Sequence, residues 1–91
     1  MLYMITLESN NRFKDYTQFS LAISSQGESF QILRQSWLLH TTSLNVRQVT
    51  AAIRPQIDER TDRLFVAEIT GHGMDGWMSK AQWDWANSHN S

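Results

Sequence analysis

Phe30-Gln31-Ile32-Leu33-Arg34-Gln35-Ser36-Trp37-Leu38-Leu39-His40-Thr41 is the stretch that decides the fold. Phe30 and Ile32 alternate with other residues, and Trp37 and Leu39 resume the alternation. The polar Arg34-Gln35-Ser36 stands between them, which is the pattern of two strands joined by a turn. No Asn-Gly or Asp-Gly marks that turn, so its type stays open and the strands can trade a residue at their boundary.

Outside this hairpin the period becomes helical. Tyr16, Phe19, Ala22 and Ile23 fall on one face of a helix, with Asp15 as N-cap, Gln18 as its capping-box partner and Gly27 as the stop. On the other side Asn45 and Gln48 repeat the capping-box spacing. Val46, Val49, Ile53 and Ile57 then form one apolar stripe, and Pro55 limits the helix. Further out, Leu2 to Leu7 is a short buried strand that ends in Glu8-Ser9-Asn10-Asn11. Asp58 to Asp62 is a charged loop, and Arg63 to Thr70 alternates as a fourth strand.

The order strand, helix, hairpin, helix, strand predicts an α+β fold: a ferredoxin-like plait, a four-stranded antiparallel sheet with two helices on one face. Residues 1–70 form the plait, with the first and third strands central. Residues 71–91 form a C-terminal Trp-rich extension in which Gly71 to Gly76 connects to a short helix over 80–86, capped by Ser79, before 87–91 fray. Both central strands are apolar on both faces, Tyr3, Ile5 and Leu7 against Leu2 and Met4, and Trp37 and Leu39 against Leu38. An antiparallel sheet with one wet face shows cleaner alternation, so something covers the second face: the extension or a second copy of the chain.

With 91 residues, eight Lys or Arg against nine Asp or Glu, a formal charge of −1 and no cysteine, several classes drop out. One core is the limit of this length. No global basic field draws nucleic acid or an anionic membrane, and neither a disulfide framework nor a thiolate metal site can form. The first residues are too short for a leader, and no run approaches the ~20 apolar residues of a membrane span, so the expected location is the cytoplasm. Arg12, Lys14, Arg47 and Arg54 make a local basic strip for phosphates of RNA or DNA. Trp77, Trp83 and Trp85 can anchor a partner protein or pack on the sheet. Gly71-His72-Gly73-Met74-Asp75 reads as a connection rather than a catalytic hinge, His40 as a residue of the sheet surface, and His89 has no assigned role.

Ser36-Trp37-Leu38-Leu39 with Thr41 or Thr42, Ile57-Asp58, Asp62-Arg63-Leu64-Phe65-Val66, and Gly71 with Trp77 beyond resemble, in this order, the small SinR-like proteins. These are relatives of the CRISPR-associated endoribonuclease family and of virulence-associated protein D. The resemblance covers about three quarters of the chain. It implies a homodimer of ferredoxin-like domains and, in the nuclease members, metal-dependent cutting of RNA or DNA by an acidic residue just after the first strand. Glu8 stands at that position and is the implied catalytic and Mg²⁺-holding residue. The family pattern there is an aromatic residue followed by aspartate, whereas this chain has Leu7 and the longer Glu8, and Mg²⁺ demands near-ideal octahedral geometry. The expectation is therefore a homodimeric binding protein that associates with protein or nucleic acid without strong catalysis. A Mg²⁺-dependent nuclease using Glu8 is the alternative, and a phage or mobile-element inhibitor of a host complex a second one.

Overall fold

A computed structural model describes residues 1–90 and builds one sheet from β1 (Leu2–Ser9), β2 (Glu28–Leu33), β3 (Ser36–His40) and β4 (Asp62–Glu68). Three helices accompany it, α1 (Thr17–Ser24), α2 (Val46–Ile53) and α3 (Lys80–Ser88), with a 3₁₀ turn at Arg54–Gln56. Every neighbouring pair of strands is antiparallel, in the order β2-β3-β1-β4, so β1 and β3 are central as expected.

The hairpin turns at Arg34-Gln35. Because no non-glycine residue described has a positive φ, this turn is neither of the mirror-image types that match strand twist most simply. A register irregularity between Gln31 and Leu33 accompanies it, and such a bulge supplies the twist that the turn does not. Gly27, expected as a helix stop, has a different use. A β-carbon there would collide with the carbonyl oxygen of His40 on the neighbouring strand, an approach only glycine allows.

Helix starts divide the same way. Asn45 and Ser79 each form a full capping box, with Gln48 and Gln82 returning the bond, as their spacing predicted. Asp15 does not. Tyr16 occupies the N-cap of α1 with no side-chain bond, and Asp15 instead accepts the Thr17 amide at 2.9 Å, a turn of the kind that aspartate forms with the backbone two residues on. Of the stripe predicted on α2, Val49 and Ile53 are buried and Ile57 is half-buried, while Val46 is exposed.

The sheet has two apolar faces, one covered by α1 and α2 and the other in part by the C-terminal residues. On one, Tyr3, Ile5, Leu7, Trp37 and Leu39 meet Phe19 and Ile23 of α1 and Val49 and Ile53 of α2. Phe19 meets the edge of the Trp37 ring with centroids 4.9 Å apart. The Trp37 indole N–H donates to Ser20 Oγ at 3.1 Å, so the large buried ring leaves no polar atom unsatisfied. Full burial of each such side chain contributes about 1.5–3 kcal/mol.

On the second face Leu2, Ile32 and Leu38 are buried with Ala86 of α3, and Met4, Phe30, Ile69, Met74, Met78 and Trp85 pack around them. The C-terminal residues thus pack on this part of the second face, while Phe65, on the same face opposite Thr6, stays 61% exposed. Expected fraying at 87–91 is corrected for the described part: α3 continues to Ser88, and its C-cap His89 bonds back to the Trp85 carbonyl. The His89 ring stacks on Trp85 at 3.9 Å, Trp85 stacks on Phe30, and His89 Nε2 meets a Glu28 carboxylate oxygen on β2. Asn90 accepts the Gly71 amide and donates to the His72 carbonyl. Ser91 lies outside the described residues. No described helix is long and apolar enough to cross a membrane.

Candidate functional site

The end of the sheet where β1 finishes and β4 begins carries Glu8, Arg12 and Lys14 of the residues singled out from the sequence. Its organiser is one that the sequence did not reveal, Asp62. Assigned to a charged loop, it is instead the first residue of β4 and is buried. Its carboxylate lies 2.9 Å from Lys14 Nζ and accepts the Asp58 amide at 2.9 Å and the Thr61 hydroxyl at 3.1 Å. Burial pushes this carboxyl up. The hydrogen bonds from Ser9, the Asp58 amide, Lys14 and Thr61 together outweigh that and hold it at about 2.

The loop after β1 is held by bonds of its own and by one to the residue before Asp62. Asn10 donates its amide to the Thr61 carbonyl, Ser9 Oγ accepts the Asn11 amide, and Asn11 Oδ1 accepts the Phe13 amide. These short-range turns carry Lys14 inward, where it also donates to the Gln56 carbonyl at 3.3 Å, and leave Arg12 and Phe13 outside. Phe13 is 81% exposed, and the Arg12 guanidinium lies 5.2 Å from its ring centroid.

The expected basic strip is therefore divided. Lys14 is spent on Asp62, and Arg54 meets Glu59 at 2.7 Å on the surface. Arg47 lines a shallow depression of about 280 Å³ beside Arg54. Arg12 lies elsewhere, in a groove of about 520 Å³ with Thr6, Tyr16, Leu33, Arg34, Gln35 and Ser36. Arg34 was not among the residues expected, since a cation in a hairpin turn carries no local sign of a distant arginine beside it.

Comparison with protein-family models, with curated proteins and with solved structures gives no match to this chain.

Glu8 is exposed on the face of β1 opposite the one that α1 and α2 cover, and its partner across the ladder is Arg63 of β4. Among the described residues no three of His, Cys, Asp and Glu gather in a way that would hold a metal ion. The Arg63 guanidinium donates to the carbonyls of Glu59 and Asp62. Of the tryptophans, Trp77 is 99% exposed, Trp83 is half-buried, and Trp85 is engaged with Phe30 and His89 of its own chain. Only Trp77 keeps a whole ring for a partner.

Proposed function

We propose that the chain is a binding module of the ferredoxin-like, SinR-like kind, which associates with nucleic acid without cutting it. Its element order and its strand order β2-β3-β1-β4 support the plait. The observation that carries the function is the setting of Glu8. Glu8 stands opposite Arg63 across the ladder, and among the described residues no three of His, Cys, Asp and Glu gather to hold a metal, which favours binding over Mg²⁺-dependent cutting, since Mg²⁺ draws on several oxygen ligands to activate water. The same end of the sheet presents Arg12, Arg34 and the exposed Phe13 outward. Cations and an exposed ring are the chemistry of strand binding.

α3 covers the part of the second face around Leu2, Ile32 and Leu38. Phe65 of β4, opposite Thr6 on that same face, is 61% exposed, and this is where a second copy, which the family resemblance implies, would pack. The function is tested by incubating the full chain and its Glu8→Ala variant with labelled RNA and DNA in Mg²⁺ and in Mn²⁺. The proposal predicts the same background in both proteins. Cutting that disappears in the variant would establish the nuclease instead.

A further inference from the structure

Half of the eight Lys and Arg side chains meet a carboxylate in place. Lys14, Arg54, Arg60 and Lys80 each meet a carboxylate, and Arg63 donates to the carbonyls of Glu59 and Asp62. Among the described residues, the side chains of Arg12 and Arg34 meet no carboxylate or carbonyl, and they line one groove. No carboxylate lines it with them. The remaining polar groups there are donors with capacity to spare. Thr6 and Ser36 share one hydrogen bond at 3.2 Å, which uses only one of their two hydroxyl hydrogens. Tyr16 accepts from the Gln35 amide at 3.4 Å and keeps its own hydrogen. Two guanidiniums and several hydroxyl donors, with no opposing negative group, form an anion site suited to a tetrahedral oxyanion. Its volume of about 520 Å³ has room for a nucleotide unit. Beside it, the Arg12 guanidinium lies against the exposed Phe13 ring.

We propose that this groove seats a phosphodiester of a single-stranded nucleic acid between Arg12 and Arg34, with a neighbouring base stacked on Phe13. This rests on the binding-module reading and gives it a site. A phosphate alone would need the arginines and ignore Phe13, whereas a strand uses both.

The test is fluorescence anisotropy of short labelled RNA and DNA strands titrated with the full chain at several salt concentrations. A strand of the same length lacking its bases is run alongside, and variant folding is checked by circular dichroism. Arg12→Ala and Arg34→Ala each lower the slope of log affinity against log salt by about 0.7, the value of one phosphate contact on a single strand. Phe13→Ala weakens the normal strand by about five- to 150-fold and leaves the baseless strand unchanged. Lys80→Ala, the same change of charge on α3, leaves both unchanged. The proposal is overturned if the wild-type chain fails to bind at low salt. It is also overturned if Lys80→Ala matches the groove variants, or if the baseless strand binds as tightly as the normal one. Binding that ignores Arg12, Arg34 and Phe13 would move the site elsewhere and leave the binding module standing, whereas Glu8-dependent cutting would remove the module itself.

Discussion

Replacing Asp62 by Asn keeps the shape of the side chain but removes the charge that Lys14, Asp58, Thr61 and Ser9 address. The Asp62 side chain has no exposed surface and that of Lys14 has 14%, so the lysine cannot simply turn to water. Removing one partner of a buried pair costs about 3–5 kcal/mol. A carboxyl held at about 2 against an ordinary value of 3.8 gives an independent figure of about 2 kcal/mol at 1.36 kcal/mol per unit. The expected loss for Asp62→Asn at neutral pH is therefore about 2–4 kcal/mol, a fall in Tm on the order of 10–30 °C for a domain of this size.

The pH dependence gives the sign. Because the folded value lies below the unfolded one, the Asp62 contribution is fully present above the unfolded value and is lost as pH falls toward 2. Urea unfolding of both proteins from pH 7 to pH 2 measures it. The two curves should converge in acid, with the variant keeping only the shallower acid loss that Asp15 and Asp58 contribute through their depressed carboxyls. A variant within ~0.5 kcal/mol of wild type at pH 7, the spread of ordinary surface changes, would refute the role assigned to Asp62. Parallel curves down to pH 2 would do the same.

Gly27→Ala forces a methyl group toward the His40 carbonyl and should cost about 1–3 kcal/mol, as overpacking does, read by the same unfolding assay. Asn45→Ala should lose about 1 kcal/mol with its capping box, while Gln18→Ala should lose almost nothing because Asp15 forms no box with it. Ending the chain before Ser79 uncovers Leu2, Ile32 and Leu38. That truncated chain should bind a hydrophobic dye or associate in light scattering more strongly than the full chain.

What was readable in the sequence had a local cause. Alternation around Trp37, helical spacing through Val49 and Ile53, and the paired cap residues at Asn45 and Ser79 act within a few residues of themselves, and each produced the expected element. Two-sided apolarity at Leu2 and Leu38 announced a cover, although spacing could not say that the cover was α3. The misses are long-range. Asp62 looks like any other loop acid until Lys14 and the amide of Asp58 converge on it, and Arg34 gains meaning only from Arg12 across the groove. His89 looked like part of a loose terminus because its partner, Glu28, belongs to a strand far away in the chain.

The central claim, a strand-binding module that does not cut, is tested most directly by one labelled single strand mixed with the full chain in Mn²⁺ at low salt, divided between a native and a denaturing gel. The account predicts a retarded band on the native gel and full-length strand on the denaturing one. A shortened strand from the wild-type chain but not from Glu8→Ala would contradict it.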